Sequence, residues 1–358
     1  MNTDQYTNIN DFLGEEYFTM KDATVSASCP SNIALIKYWG KYEPQLPANP
    51  SISYTLNESR TNTEMKFVSG NQFSVQTFLS GKEEPGFSKK IEKYFTSIAQ
   101  YLPWILKGSY IITTENTFPH SSGIASSASG FGAIAKCLME LDGLFSGKDC
   151  NIPVNRKASF LARLGSGSAC RSLYDGLVVW GNTREVGGSS DLFAVPYPTS
   201  EVHEVFRSFN DWILLIHEGA KSVSSTVGHG LMNSNPYAER RFREAHENFE
   251  QLKSILKSGD MPAFIRLVEH EALTLHAMMM VSEPAFILMK SGTLEVINKI
   301  WDFRKETDLP LFFTLDAGAN VHLLFPATLQ EDKIKEFIVK ELVPHTQNGG
   351  VVKDVMKF

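Results

Sequence analysis

The chain has 358 residues, a length that predicts two domains in one compact body. Hydrophobic residues make up 42% of the sequence and charged residues 21%, which favours a globular protein with a buried core over a disordered, collagen-like or fibrous chain. The formal net charge is −6, from 34 Lys+Arg and 40 Asp+Glu, so bulk charge argues against nucleic-acid binding and any anion site has to be local.

The cysteines and the N-terminal residues bear on the cellular compartment. Cys29, Cys137, Cys150 and Cys170 are widely spaced and form no CxxC pair, so neither a zinc ribbon nor a disulfide framework is indicated. The first twenty residues carry no basic side chain, which is the wrong polarity for a signal or transit peptide. The most apolar stretches are too short to span a bilayer. We therefore expect a cytoplasmic protein with no membrane partner.

The first part of the chain predicts a polar N-terminal extension at 1–20 and a first domain at 21–203. The small-residue loops of this domain lie at 116–132 and 165–168. Its predicted elements, in chain order, are a strand running into a loop at 25–39, strands at 50–56 and 63–68, a helix at 88–102, a strand at 110–114, helices at 133–141 and 156–164, a strand at 176–180 and another strand after Asp191.

The polar stretch at 197–203 marks the predicted domain boundary, to within ~10 residues. The second domain, 204–358, is predicted to contain a strand at 212–217, helices at 238–257, 261–280 and 293–306, strands at 311–315 and 321–325, and a helix at 331–342. Strands and helices are mixed without a regular βαβ period. This arrangement favours an α+β fold over a doubly wound sheet.

The strongest local signal is the segment FPHSSGIASSASG at 118–130. Small residues let the backbone approach a ligand closely, and N–H groups at a helix start attract anions, so the loop suits a nucleotide's phosphates with a Ser hydroxyl available to Mg²⁺. The loop is neither a Walker A sequence nor a strand-anchored GxGxxG, which argues against a P-loop NTPase and a dinucleotide-binding fold. Tight helix packing through small residues is an equally open explanation.

Three further segments combine charge with small residues. In GSGSACRS at 165–172, Arg171 could grip a carboxylate or phosphate bidentately, or could be an ordinary salt-bridge partner beside a turn. In NIALIKYWGK at 32–41, Lys37 and Lys41 could line a cationic pocket wall, although surface lysines are the commoner explanation. In TLDAGAN at 314–320, Asp316 could form a turn or serve as a general base.

Other polar residues do not indicate a site. His270-Glu271 is not followed by a His at the HExxH spacing, so a zinc protease is not supported. The charged run at 239–244 is typical of a solvated helix face. Three more histidines are interpreted as core or rim residues: His217, His229 and His322.

Taken together, the segments resemble the mevalonate diphosphate decarboxylase family of the GHMP kinase superfamily, from about residue 25 to residue 326. The matching blocks occur in the family's order. They are NIAxxKYWGK at 32–41, SISxTL at 51–56, GLASSA at 123–128, GSGSACRS at 165–172, VSSTxG at 223–228, LHA at 275–277 and TxDAGPN at 314–320.

The resemblance implies a two-domain α+β fold of the GHMP kinase type, with a ribosomal-protein-S5-like N-terminal domain and a ferredoxin-like C-terminal α/β sandwich. It implies that ATP, with Mg²⁺, phosphorylates the 3-hydroxyl of mevalonate 5-diphosphate, and that loss of this phosphate with CO₂ gives isopentenyl diphosphate. The alternatives in the same fold are a mevalonate 5-phosphate decarboxylase and a mevalonate 3-kinase. A noncatalytic binding protein would be expected to have lost Asp316, Lys37 or Arg171. We also expect a homodimer with a small-molecule substrate.

The resemblance also assigns site residues. Asp316 would orient or deprotonate the 3-hydroxyl, and Lys37 would stabilise the transferring phosphoryl group. Arg171 and Asn32 would hold the substrate carboxylate. The 5-diphosphate pocket would be lined by Tyr38, Trp39, Gly40, Lys41, Ser166, Gly167, Ser168, Ala169, Cys170 and Thr226. ATP would lie on Gly123, Ile124, Ala125, Ser126, Ser127 and Ala128, with Ser127 as the Mg²⁺ ligand.

The sequence departs from the family pattern at several positions. His-Ser-Ser at 120–122 stands where the family often has Thr-Ala-Ala, Ala319 replaces the Pro of DAGPN, and Asp175 occupies the first position of a usual Gly-Gly. An Arg of the family's diphosphate pocket is matched by Lys89 or Lys90. These changes leave the central groups intact and bear on substrate chain length and loop conformation.

Overall fold

The computed structural model describes residues 8–14, 19–119, 124–146, 152–219, 223–327 and 331–357. A first sheet has the strand order β6-β5-β7-β4-β8-β9, with β1 paired to β4, and every pairing in it is antiparallel except β5 with β7. Its strands are β1 (Ala23–Ile36), β4 (Ser51–Ser69), β5 (Ser74–Leu79), β6 (Lys82–Glu83), β7 (Gly108–Asn116), β8 (Leu177–Trp180) and β9 (Ala194–Pro196). Between β1 and β4 the chain forms a small hairpin of β2 (Lys41–Tyr42) and β3 (Leu46–Pro47).

Three helices pack with this sheet: α1 (Pro85–Ile98), α2 (Ser126–Ser146) and α3 (Val154–Gly165). A 3-10 helix (Gly167–Leu173) follows α3 directly. The apolar face predicted for the first helix is confirmed, because the side chains that the spacing placed together are all buried: Ile91, Tyr94, Phe95, Ile98 and Leu102.

The second half forms an antiparallel sheet in the order β11-β12-β10-β13. Its elements are β10 (Ser208–Leu214), α4 (Ser225–Leu231), α5 (Ala238–Ser258), α6 (Met261–Met280), α7 (Ser291–Thr307), β11 (Phe312–Leu315), β12 (Val321–Pro326), α8 (Glu331–Phe337) and β13 (Val351–Lys357). The mixture of helices with largely antiparallel sheets confirms the predicted α+β class. Within the described residues, no helix has the length and apolar character needed to cross a membrane.

Alternate residues of the second sheet face opposite ways, as the period of two requires. One face packs into the same core as the first sheet, through Phe209, Ile213, Phe312, Leu324 and Met356. The other packs against α7 and α8, through Trp212, Leu214, Phe313, Leu315 and Leu323. The end of β11, where Asp316 follows, therefore lies beside the contact between the two halves.

The strand β4 is longer than the sequence predicts, because the two strands expected at 50–56 and 63–68 are one continuous strand. The polar run between them is held in the sheet by a distant residue. The carboxylate of Asp354 in β13 accepts hydrogen bonds from the backbone N–H groups of Asn57, Glu58 and Ser59 at 2.8, 3.0 and 2.6 Å. The strand thus depends on a partner about 295 residues away, which local patterns do not reveal.

Part of the predicted N-terminal extension packs on the first domain. Phe12 is fully buried, and its ring stacks on that of Phe160 with a centroid distance of 4.0 Å. This aromatic contact belongs to the core, a role that the polar composition of residues 1–20 did not indicate.

Candidate active site

A cavity of about 490 Å³ lies where the four predicted segments meet. It is lined by residues that come from both halves of the chain: Ala34, Lys37, Tyr38, Trp39, Lys41, Gln45, Lys90, Ala125, Ser126, Ser127, Gly165, Ser166, Gly167, Ser168, Arg171, Ser224, Ser225, Thr226, His229, Leu275, Asp316 and Ala317. The fold therefore brings together the charged residues Lys37, Arg171 and Asp316, which are far apart in sequence.

Some predicted site residues lie behind the cavity wall instead of on it: Asn32, Gly40, Ile124, Ala128, Ala169 and Cys170. Their side chains are taken up by packing or internal hydrogen bonds. The Cys170 thiol donates to the carbonyl of Gly167 at 3.0 Å, and burial raises its pKa to about 12, so it is not a nucleophile. Gly123, predicted in the nucleotide loop, lies outside the described residues, as does the His-Ser-Ser departure at 120–122.

Lys37 follows the end of β1 and is almost fully buried, so it is not a surface lysine. Its ammonium donates hydrogen bonds to the carbonyl of Ala34 and to Oγ1 of Thr314 in β11, the second at 2.7 Å. Burial lowers the pKa of Lys37 to about 8, and the negative charges of Asp316 and Glu271 oppose that shift. The cavity thus contains a cation that can change charge near neutral pH.

Arg171 lies in the 3-10 helix and is 3% exposed. Its guanidinium donates to Oδ1 of Asn32 at 3.3 Å, to Oγ of Ser53 at 3.0 Å and to Oγ of Ser51. The amide of Asn32 in turn donates to Oγ of Ser172 at 2.8 Å. Because these acceptors are neutral oxygens, they orient the guanidinium without neutralising its charge.

Asp316 comes one residue after β11, at the edge of the cavity. Its carbonyl accepts the N–H of Gly318 at 2.7 Å and lies 3.1 Å from Nε2 of His276. These contacts fix the backbone of the turn that carries the carboxylate. Burial lowers the pKa of Lys37, Arg171 and His229, and the negative charge of the Asp316 carboxylate opposes that shift in each.

His229 in α4 is a cavity residue that sequence reasoning placed in the core or at the rim. Its ring lies 4.2 Å from the Tyr38 ring and 4.6 Å from the Trp39 ring, between centroids, and its Nδ1 accepts the N–H of Gly40 at 3.0 Å. Burial, assisted by the charge of Lys41, lowers the pKa of His229 to about 3. A neutral ring whose Nδ1 accepts carries its proton on Nε2. The sequence signal that could have placed His229 at the site was its position directly after the VSSTxG-like segment at 223–228.

The turn after Trp39 requires glycine. Gly40 has a φ of +102°, and an added Cβ would lie 2.7 Å from the ring of Phe242. This turn leads into the β2–β3 hairpin, where the Lys41 ammonium donates to Oε1 of Gln45 at 2.7 Å. The buried guanidinium of Arg163 donates to the carbonyls of Pro44 and Gln45 and so holds the hairpin against the cavity.

The small residues of the two loops have both of the roles that the sequence left open, helix packing and lining of a site. Gly132 and Gly165 are packing positions, because an added Cβ would collide with Cys29 and with the Phe131 ring. Ser126 and Ser127, by contrast, line the cavity, and the Ser127 hydroxyl lies 3.4 Å from that of Ser166 in the other loop. Packing therefore brings the loops together, and serines face the space between them.

A smaller, mainly apolar cavity of about 110 Å³ shares Lys90, Ser126 and Ser127 with the main cavity. Its other lining residues come from β5, α1, β7 and α2: Thr77, Leu79, Phe87, Ile91, Thr114, Asn116, Gly130, Phe131 and Ile134. The Lys90 ammonium lies 5.1 Å from the centre of the Phe131 ring. Both Lys89 and Lys90 are exposed, but Lys89 lines neither cavity, so Lys90 is the one of the two lysines that reaches the site.

The prediction that the charged run at 239–244 is a solvated helix face is wrong at Arg241. This side chain is 1% exposed and forms a bidentate ion pair with Glu271, which is 0% exposed. Arg241 faces inward because α5 packs against α6, and helical spacing alone does not say which charged residue lies on the packed side. His322, predicted as core or rim, is a core residue whose Nδ1 lies 2.8 Å from Asp211.

Comparison with known proteins identifies the family. Residues 29–193 match the model for the diphosphomevalonate decarboxylase-like N-terminal domain, and residues 212–356 match that for the mevalonate 5-diphosphate decarboxylase C-terminal domain. The diphosphomevalonate decarboxylase of Saccharomyces cerevisiae is 30% identical over 341 residues, covering 88% of this chain and 81% of the relative. The human protein of the same name is 28% identical over 336 residues, covering 88% and 79%.

Solved structures give the same result. The mevalonate diphosphate decarboxylase from Staphylococcus aureus superposes with a TM-score of 0.79 at 27% identity, covering 94% of this chain and 96% of that one. A complex of MDDEF with MVAPP, AMPPCP and magnesium superposes with a TM-score of 0.80 at 27% identity, covering 94% and 98%. With its two-domain α+β fold confirmed as GHMP kinase-like, the chain belongs to the diphosphomevalonate decarboxylase family.

Proposed function

We propose that the protein catalyses the ATP-dependent decarboxylation of mevalonate 5-diphosphate to isopentenyl diphosphate, ADP, phosphate and CO₂. The observation that carries this proposal is the convergence of Lys37, Arg171 and Asp316 on one cavity that also contains the serines of both small-residue loops. A kinase step needs positioned charge more than covalent chemistry from the protein, and this cavity supplies it.

In the first half of the reaction, Asp316 orients the substrate 3-hydroxyl or accepts its proton, while the hydroxyl oxygen attacks the γ-phosphorus of ATP. Lys37, whose pKa is about 8, is largely protonated at neutral pH. Its ammonium stabilises negative charge on the transferring phosphoryl group. The contacts to Ala34 and Thr314 hold that ammonium at the cavity wall before substrate binds.

In the second half, the C3–O bond to phosphate breaks, and the electron pair of the bond to the leaving CO₂ becomes the new carbon–carbon double bond. Arg171 binds the carboxylate before it leaves. Its hydrogen bonds to Asn32, Ser51 and Ser53 support this role, because neutral partners leave the guanidinium charge available for an anion. Asn32 acts in this scheme by orienting Arg171 from behind the wall.

The nucleotide is assigned to the small-residue loop that leads into α2 and to the smaller cavity. The apolar lining from Phe131, Ile91 and their neighbours suits a base, and Ser126 and Ser127 at the start of α2 suit its phosphates. Among the described residues, no group of three His, Cys, Asp or Glu side chains could hold a metal alone. The Ser127 hydroxyl, which faces the cavity 3.4 Å from that of Ser166, would help to hold a Mg²⁺ beside the phosphates, and the ion would supply positive charge there.

The 5-diphosphate is assigned to the cavity wall made by residues 38–41, the β2–β3 hairpin and α4. Donors that line this wall include the side chains of Tyr38, Lys41, Thr226 and His229. Lys90 lines both cavities and adds a cation near the positions assigned to the ATP phosphates and to the 5-diphosphate. Such a concentration of donors binds an anionic tail without a basic overall charge.

The function is tested by measuring ADP formation and CO₂ release with mevalonate 5-diphosphate and mevalonate 5-phosphate in parallel. We expect equal amounts of ADP and CO₂, and a higher kcat/KM for the diphosphate. ADP without CO₂ would identify a 3-kinase, and a higher kcat/KM for the monophosphate would identify a monophosphate decarboxylase. The homodimer and the cytoplasmic location stay predictions, which light scattering and cell fractionation test.

A further inference from the structure

A group of three side chains from the second half of the chain surrounds the backbone of Lys37. Glu271 in α6 accepts hydrogen bonds from Nη1 and Nη2 of Arg241 in α5 at 2.9 and 2.5 Å. Nδ2 of Asn248, also in α5, donates to Oε1 of Glu271 at 2.6 Å. None of the three side chains lines the cavity, and all are buried. We call them the Glu271 clamp.

The clamp contacts both backbone polar groups of Lys37, its N–H and its carbonyl. Oε2 of Glu271 accepts the N–H of Lys37 at 2.9 Å, and Nη2 of Arg241 lies 3.4 Å from the carbonyl oxygen of Lys37. The amide of Asn49 donates to the same carbonyl at 3.0 Å. Since β1 ends at Ile36, side chains take over here the hydrogen bonds that a neighbouring strand would make.

A buried ion pair is weak evidence for stability, because desolvation offsets most of the attraction between the charges. The Glu271 clamp is therefore better explained by the geometry that it imposes. Its helices belong to the second half, whereas Lys37 lies in the first. The clamp fixes a cavity residue of one half from helices of the other, at the point where the Lys37 side chain turns toward Thr314 of β11.

We propose that Glu271, held by Arg241 and Asn248, is a positioning residue for Lys37: it fixes the Lys37 backbone so that the ammonium faces the transferring phosphoryl group. The kinetic consequence of this proposal rests on the proposed function. The effect of the Glu271 charge on the nearby ammonium does not, because it concerns the charge state of Lys37 itself.

The charges that act on Lys37 come from several elements. Asp316 and Glu271 raise the pKa of Lys37, whereas burial, Arg171 and Arg241 lower it. The buried pair of Asp211 and His322 lies on the same sheet face as Thr314. Because the negative charge of Glu271 raises the pKa of Lys37, we expect its removal to lower that pKa, so that the neutral amine forms at lower pH.

The test compares Glu271→Gln with a control on the same helix, Glu269→Gln. Glu269 is also buried and forms a bidentate pair with Arg304 at 2.8 and 2.8 Å, but it has no contact with Lys37. Each protein is labelled with acetic anhydride over a range of pH, and the Lys37 peptide is quantified by mass spectrometry. The kcat and KM values are measured per folded molecule.

We expect Glu271→Gln to shift the midpoint of Lys37 labelling to lower pH and to reduce kcat by about 10²-fold with little change in KM, the consequence of a misplaced group. Glu269→Gln is expected to lower thermal stability and to leave kcat and the labelling midpoint at the parent values. An unchanged midpoint and kcat in Glu271→Gln would overturn the proposal and make the clamp purely structural.

Asn248→Ala covers the case in which Glu271→Gln does not fold. It removes one hydrogen bond from the clamp without changing a charge, so kcat should fall several-fold while KM is kept, and parental kcat would overturn the positioning role. If the parent enzyme releases no CO₂, the proposed function fails, and the labelling midpoints of Glu271→Gln and Glu269→Gln still decide whether Glu271 sets the charge state of Lys37.

Discussion

Asp316 and Arg171 line the same cavity, but the fold holds them in different ways. Asp316 is half-buried on a turn whose backbone is fixed through its own carbonyl. Its carboxylate is therefore placed for chemistry more than for folding. We expect Asp316→Asn to keep the melting temperature of the parent within a few degrees and to lose at least about 10²- to 10⁴-fold in kcat, the usual effect of removing a general base. Activity within tenfold of the parent would contradict the assignment.

Arg171 is buried and bound to three neutral oxygens, so a Lys in its place keeps the charge but loses the planar fork. We expect Arg171→Lys to lower CO₂ release about 10- to 100-fold, as the loss of one charge-assisted hydrogen bond of about 1.5 to 3 kcal/mol would do. The amount of CO₂ released should fall below the amount of ADP formed, because the contact of Arg171 with the carboxylate belongs to the second half of the reaction. Arg304→Lys, outside the cavity, is the control. Parental CO₂ release would make Arg171 a structural residue.

At the scale of elements, α1 separates two neighbouring lysines. Lys90 lines both cavities, whereas Lys89 lines neither. We expect Lys90→Ala to raise KM for the diphosphate or for ATP about tenfold, the effect of losing about 1.4 kcal/mol of binding, with kcat changed much less. Lys89→Ala should match the parent. Equal KM values in the two variants would remove Lys90 from the phosphate sites.

The secondary structure predicted from the sequence is most accurate where an element carries its own periodic signal. The helices α5 and α6 lie within a residue of the predicted 238–257 and 261–280. Strands β5 and β13 were missed, and 50–56 and 63–68 were separated although they form one strand. A strand is stabilised by its neighbours in the sheet, so its local sequence holds less of the information than that of a helix does.

At the scale of the whole molecule, Asp354 joins the edge strand β13 to the centre of β4. Its buried carboxylate accepts three backbone N–H groups, those of residues 57–59. We expect Asp354→Ala to lower the free energy of unfolding by at least about 3 kcal/mol, because the three N–H groups would lose a charged acceptor worth about 1.5 to 3 kcal/mol per hydrogen bond. Asp22→Ala, which removes an exposed carboxylate bound to Ser69, is the control and should cost far less. Similar losses in urea unfolding would contradict this.

The sequence by itself determined the fold class, the family and the charged residues that meet in the cavity. These features are encoded in the order and spacing of short segments, and small-residue loops have to stay small wherever the backbone approaches a ligand or another helix. The segment 165–172 was therefore recognised as a candidate site before any contact was known, and the structure places Arg171 on the cavity wall.

Only the tertiary structure decided which polar residues are buried and what they hold. Arg241 was expected in solvent and His229 in the core or at the rim, yet one pairs with Glu271 behind Lys37 and the other lines the cavity. Their environments are set by partners that lie 30 to 204 residues away in sequence. A buried charge is tolerated only when such a partner is present, and no local pattern records whether it is.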